Sequence, residues 1–158
     1  MTTPAPEGFT SRLLRGVAQW IAGTGLAVWQ PVEPYVAGTT GVFLRKVPQT
    51  PDRAVVLTAY MVGATEPHLS DVVLGLNVRV RGAAGDADGA DDLADALADL
   101  LDGAELLDFA GITAALVWRQ STTSLGPDPT SGQDEARRAE RSDNYRVRAA
   151  RLTDHRTD

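Results

Sequence analysis

The two histidines, His68 and His155, are the residues best suited to general acid–base chemistry near neutral pH, and neither has company. His68 falls in the turn-forming run Glu66-Pro67-His68-Leu69-Ser70 and His155 in a polar C-terminal tail, so both read as surface residues. A metal site wants clustered His, Cys or carboxylates at defined spacing. The chain has no cysteine, which removes thiolate ligands and disulfides together. The stretch Asp86-Ala87-Asp88-Gly89-Ala90-Asp91 resembles the start of a calcium loop, but its glycine comes two positions early and Leu97 stands where the closing glutamate belongs. Capping of a helix by excess acid accounts for it better. Gly23-Thr24-Gly25 and the glycines between Gly82 and Gly89 lack the Gly-Lys-Ser/Thr of a phosphate cradle. Ser121 to Ser124 have no activating base nearby in the sequence, and a hydroxyl nucleophile needs one. No catalytic, cofactor-binding or metal-binding residue is therefore assigned, and the expectation is a protein that is not an enzyme.

The elements that would position such residues are clearer. Phe9 to Ala22 reads as a first helix, with Leu13, Leu14, Val17, Trp20 and Ile21 on one stripe, Thr10 or Ser11 as cap, and Gly23 and Gly25 as stop. A short strand over Leu26 to Gln30 follows, then strands over Gly41 to Val47 and Ala54 to Val62. The plainest strand sets Val72, Leu74, Leu76, Val78 and Val80 against Val73, Gly75, Asn77, Arg79 and Arg81, which implies one dry face and one wet face. A second amphipathic helix spans about Ala90 to Leu101, with Leu93, Leu97, Leu100 and Leu101 inward and Asp86 or Asp88 as cap. Ile112 to Gln120 alternates again, placing Ile112, Ala114, Leu116 and Trp118 on one side. A last strand, Asp143 to Leu152, sets Tyr145, Val147 and Ala149 against Asn144, Arg146 and Arg148.

Strands in succession with segregated helices predict an α+β fold, a mainly antiparallel sheet of four to six strands with two helices packed on one face. At 158 residues this is a single domain, placed at 9–152, with flexible termini at 1–8 and 153–158 and a long polar loop at 121–141. The N-terminus has no basic region before its apolar stretch, which Arg12, Arg15 and Gln19 interrupt. No window approaches the roughly 18 uninterrupted apolar residues of a membrane span. The expectation is a soluble intracellular product, made in a bacterial cytoplasm, with no membrane partner.

A net charge of −6 argues against holding nucleic acid by bulk attraction. The distribution of charge says more. Nine acids and no Lys or Arg lie between Gly82 and Ala110, which leaves twelve of the 21 acids to face all 15 basic residues elsewhere. Charge segregated in this way is how a well-solvated helix looks, and it can also orient copies of a protein against one another. The candidate subunit-interface residues are accordingly Asp91, Asp95 and Asp99 on the acidic helix and Arg146 and Arg148 on the last strand, with Arg151 beside them. The polar loop is either a loose hairpin tip or an arm that orders against a neighbour, with Leu125, Gly126, Asp128, Arg137 and Arg138 as its candidate contacts.

Several pieces in order carry a family likeness from about Phe9 to Leu152. They are the first helix followed by Leu26-Ala27-Val28-Trp29, and the strand Val73-Leu74-Gly75-Leu76-Asn77-Val78-Arg79-Val80-Arg81-Gly82 leading into an Ala/Asp/Leu helix that ends Leu101-Asp102-Gly103. Ser124-Leu125-Gly126-Pro127-Asp128 and Arg141-Ser142-Asp143-Asn144-Tyr145-Arg146-Val147 follow. In these the chain resembles the minor capsid or tail terminator proteins of long-tailed, siphovirus-like phages of actinobacteria. The resemblance implies a structural virion protein at the head–tail junction and a homo-oligomeric ring, six-membered, stacked on the last ring of tail-tube protein. It implies that this ring stops tube growth, meets the head-completion (neck) proteins above, and lets DNA pass through its lumen without sequence-specific binding. No catalytic residues come with the resemblance.

Two other readings compete. One is a different head–tail connector component, a head-closure or tail-completion protein. The other is a small ligand-binding or enzymatic α+β domain in which Trp29, Tyr60 and Trp118 line a pocket, although large apolar residues at strand positions are more often core.

Overall fold

A computed structural model describes residues 3–32, 34–63, 66–126 and 138–156. The elements run α1 (Phe9–Thr24), β1 (Gly41–Leu44), β2 (Ala54–Met61), β3 (Asp71–Arg81), α2 (Gly89–Leu101), β4 (Glu105–Phe109), β5 (Ile112–Leu125) and β6 (Glu140–Ala150). The strands form one six-stranded sheet in the order β1-β2-β3-β6-β5-β4. β1 is parallel to β2 and every other neighbouring pair is antiparallel, so the sheet is mixed but largely antiparallel, and the fold is α+β.

The alternation of β3 decides which face is which. Val72, Leu74, Leu76, Val78 and Val80 are buried and stand beside Ala149, Val147, Tyr145, Asp143 and Arg141 of β6 across the ladder. Both helices pack on this face, burying Leu13, Leu14, Val17 and Ile21 from α1 and Ala94, Leu97 and Leu101 from α2 in the same core cluster as those strand residues. Burying such aliphatic side chains is worth ~1.5–3 kcal/mol each and outweighs the ordinary strand and helix propensities of the chain. α1 rides on β4. A Cβ at Gly16 would lie 2.2 Å from the Phe109 carbonyl oxygen, and Trp20 meets the Phe109 ring edge-on at 5.9 Å.

Several local expectations are corrected. Thr10 and Ser11 lie inside the first turn of α1, whose N-cap is Gly8 with no side-chain cap. At α2 the expected acids do stand at the N-terminus: Asp88 is the N-cap, and Asp86 Oδ1 accepts the N–H groups of Asp88 and Gly89. Leu26 to Gln30 is not a strand, because only Val28 forms a bridge, to Gly41. β1 stops at Leu44, and Arg45 takes a positive φ of 64°. β4 was not foreseen. It is short, carries Glu105 and Asp108, and bends at Leu106, whose φ is 55°. The single-sided alternation over β5 fails because a register shift between Ala114 and Leu116 changes the phase. Val117 then joins Ile112 and Ala114 in the core, while Leu116 and Trp118 pair with Arg148 and Arg146. The polar run at 121–141 begins and ends in strand. Ser121 to Leu125 continue β5, and Glu140 and Arg141 open β6. Polar side chains there sit on a ladder whose backbone groups are satisfied by the neighbouring strands, so polarity alone does not mark a loop.

Candidate assembly surfaces

The helix layer covers one face of the sheet; the other is open across its middle and is covered at one corner, where the loop carrying Pro51 and Asp52 closes over Arg81. The bare face is built in cross-strand rows. In one row Tyr60 of β2, Gly75 of β3, Arg146 of β6 and Trp118 of β5 are successive neighbours. Tyr60 lies flat over Gly75, where an added Cβ would come 2.3 Å from its ring. Arg146 donates from Nη1 to the Tyr60 hydroxyl at 3.0 Å and holds its guanidinium 5.8 Å from the ring centroid. The next row is amide and hydroxyl. Asn77 Nδ2 donates to Asn144 Oδ1 (2.9 Å) and Ser142 Oγ (2.7 Å), while Asn144 Nδ2 donates to Ser121 Oγ (3.1 Å). Beyond it Arg79 Nε donates to Glu140 at 2.6 Å. These bonds fix the side chains of a wet face, so it presents a defined pattern of donors and rings. Arg148 adds an exposed guanidinium that has no partner among the described residues.

The acidic helix lies on the opposite side, and part of its charge is already used. Arg141, only 7% exposed, grips Asp143 with two parallel bonds, Nε to Oδ1 at 2.9 Å and Nη2 to Oδ2 at 3.0 Å. Its Nη1 reaches Asp95 at 2.6 Å and Asp91 at 3.6 Å. Thr122 donates a further hydrogen bond to Asp143, which is 1% exposed, and Arg119 approaches it at 3.5 Å. The hydrogen bond to Asp143 raises the Arg141 pKa, against the opposing effect of burial, so this guanidinium stays charged at any working pH. A buried pair completed by this many partners holds α2 against β5 and β6; the same charges left half-paired would destabilise the fold. Asp91 and Asp95 thus find their base within the chain, in a residue that sequence reading had assigned to the end of a loop. Asp99 is exposed on the same helix with no partner among the described residues.

Of the candidate arm, Asp128 and Arg137 lie outside the described residues. Leu125 ends β5 and is partly exposed, and Gly126 is exposed beside it. Arg138 is anchored at the base of that segment. Its Nη1 donates to the Gln49 carbonyl (3.3 Å) and its Nη2 pairs with Asp52 (3.2 Å). Arg81 donates to the Asp52 and Pro51 carbonyls of the same loop at 2.8 and 2.9 Å, and burial lowers its pKa. Trp29, Tyr60 and Trp118 do not share a pocket. Tyr60 and Trp118 flank Arg146 on the bare face, and Trp29 lines a separate cleft beside β1. His68 and His155 are exposed in separate turns, and among the described residues no group of three or more His, Asp or Glu side chains could hold a metal ion.

Residues 20–151 match the family described as bacteriophage tail terminator protein. The chain belongs to that family. It is a structural protein of the phage tail, and the family segment takes in the whole sheet and α2. Among solved structures, a chain from the virion of a native gene transfer agent particle shares the fold, with a TM-score of 0.55 and 19% identity over 84% of this chain and 85% of its own. A second solved chain, 14% identical over 93% of this chain and 100% of its own, has a TM-score of 0.45. No curated protein is a significant match for the sequence. A structural protein of the phage tail assembles with other phage proteins, and the open sheet face and the acidic helix are the candidate surfaces for such contacts.

Proposed function

We propose that this protein closes into a ring, a hexamer, on the head-proximal end of the tail tube, where it stops polymerisation of the tube protein and offers its upper surface to the head-completion proteins. The match to the tail terminator family over residues 20–151 carries this reading. The two faces of the sheet support it. A ring needs heterologous contacts in which one surface of each copy meets a different surface of the next. Here the acidic helix α2 and the open face bearing Arg146 and Arg148 lie on opposite sides of one sheet, so charges that cannot meet within a chain can meet between chains. Asp99 is the helix acid best placed for that contact, because Asp91 and Asp95 also serve Arg141. Leu125 and Gly126 at one end of the sheet are proposed as the start of an arm that meets the tube or the neck, with Asp128 and Arg137 following in the sequence and Arg138 as its anchor on the Gln49–Asp52 loop. DNA crosses the lumen without being gripped, as a net charge of −6 allows. The Ala-, Arg-, Asp- and Gly-rich composition supports an actinobacterial host.

Negative-stain imaging of the protein mixed with its co-encoded tail-tube protein tests the reading. The expected result is tubes of limited length with ring-shaped density at one end. Tubes whose lengths and ends are indifferent to the protein would remove the terminator role and favour a head-closure or tail-completion role, to be tried next against the neck proteins.

A further inference from the structure

Beside the outer edge of β1 lies a cleft of about 540 Å³ lined by Trp29, Pro31, Pro34, Tyr35 and Phe43, together with Arg15. The wall is held in place. The Tyr35 hydroxyl accepts the Gln30 N–H at 3.1 Å and donates to the Val42 carbonyl at 2.5 Å, and its ring packs on Phe43 at 4.8 Å. Gly41 leaves room for this pair, since a Cβ there would come 2.8 Å from the Phe43 ring and 3.0 Å from that of Tyr35. The strand behind is an edge, bridged on its outer side by Val28 at Gly41. Val32, 90% exposed, stands beside the opening, an arrangement that water alone gives no reason to keep.

Rigid aromatic and proline walls are the chemistry that receives extended proline-bearing segments, which are stiff beforehand and lose little entropy on docking. This chain carries such a segment. Thr3-Pro4-Ala5-Pro6-Glu7-Gly8 precedes α1, is exposed throughout, and does not line the cleft of its own chain. Its carboxylate matches Arg15 of the lining. Glu7 pairs with Arg15 at 2.8 Å within one chain, and the same pair can be made by exchange with a neighbour. Six residues in this extended form reach roughly 19 Å from the start of α1.

We infer that the β1 cleft is the seat of the proline-bearing N-terminal segment of a second copy of this chain. The cleft's preference for a proline segment stands on its walls alone; the choice of a second copy as donor rests on the ring reading above.

The test uses the full-length protein and two synthetic peptides, residues 1–8 as they stand and the same with Pro4 and Pro6 changed to Ser. The native peptide should shift the Trp29 indole and the β1 amide resonances and bind at least tenfold tighter than its serine counterpart. A full-length variant carrying Pro4→Ser, Pro6→Ser and Glu7→Gln, all at exposed positions, should melt like the wild type and need at least tenfold more protein to cap tubes. Unmoved Trp29 and β1 resonances at millimolar native peptide would overturn the cleft assignment even if the wild type caps tubes. Peptide binding with unimpaired capping by the variant would overturn the second copy as donor and point to a proline segment on another tail protein. If the wild type caps nothing yet the native peptide still binds selectively, the ring reading fails and the cleft assignment stands.

Discussion

The hydroxyl of Tyr145 is enclosed among the core side chains of β6 and has no hydrogen-bond partner among the described residues. An unsatisfied buried hydroxyl costs about 1–3 kcal/mol of desolvation, whereas the ring it sits on contributes as any buried aromatic does. Tyr145→Phe keeps the ring and removes the cost, so its unfolding free energy should rise by about 1 kcal/mol in a denaturant titration at pH 7. A loss of similar size would show that the hydroxyl is bonded after all. The same site sets a pH dependence. Burial pushes the Tyr145 phenol up, with the Asp143 carboxylate adding to the effect. Below the ordinary tyrosine range, near pH 10, folded and unfolded chains both keep the proton and this group adds no slope. Above it the unfolded chain gives up a proton that the folded chain retains, so stability falls as pH rises, and Tyr145→Phe should flatten that fall. That Tyr145 faces inward was legible from its alternation with Val147 and Ala149. The missing partner was not, because satisfaction of a polar atom depends on which elements meet above it. The full set around Arg141 was hidden for a related reason: Asp143 is two residues away, but Asp91 and Asp95 arrive from α2, far away in sequence.

At the scale of elements, periodicity located whatever has two unlike faces. β3, β6 and both helices were legible because one side of each is apolar and the other wet. β4 was not, since Glu105, Asp108 and an irregular backbone at Leu106 hide a strand that is kept by α1 lying across it. The phase change in β5 was equally hidden, because a one-residue shift is a property of the ladder and leaves composition unaltered. The α1–β4 contact gives a paired test within one helix. Gly16→Ala puts a Cβ 2.2 Å from a backbone oxygen of Phe109, and overpacking of that kind costs about 1–3 kcal/mol. Here the upper end is expected, because the obstacle is main chain and cannot rotate away, and it outweighs the ~1 kcal/mol that alanine gains over glycine in a helix. Gly23→Ala on the same helix meets nothing within 4 Å and should show the propensity gain alone. Thermal melts of the two variants should therefore move in opposite directions. If both moved upward, the close crossing of α1 over β4 would be wrong.

For the whole molecule the deciding feature is the separation of charge across the sheet. Surface ion pairs are individually weak, about 0–1 kcal/mol, so the exposed charges outside the Arg141 network, Asp99 and Arg148 among them, matter little to the stability of one chain. A closed ring repeats each contact at every interface, and a small term per contact becomes decisive for closure. Arg148 is the cleanest probe, because it is exposed and has no partner among the described residues, whereas Arg146 also holds Tyr60. Arg148→Glu should melt within about 0.5 kcal/mol of the wild type, as surface changes do, yet need several-fold more protein to cap tail tubes. Adding Asp99→Lys, which restores opposite charge across the proposed contact, should recover part of that loss, and raising the salt should weaken the wild type toward the single variant. Capping that is unchanged by Arg148→Glu, or a loss that Asp99→Lys only deepens, would break the pairing. The helix acids and the strand arginines would then be two independently solvated surfaces, and closure would have to rest on apolar contacts such as the cleft beside β1.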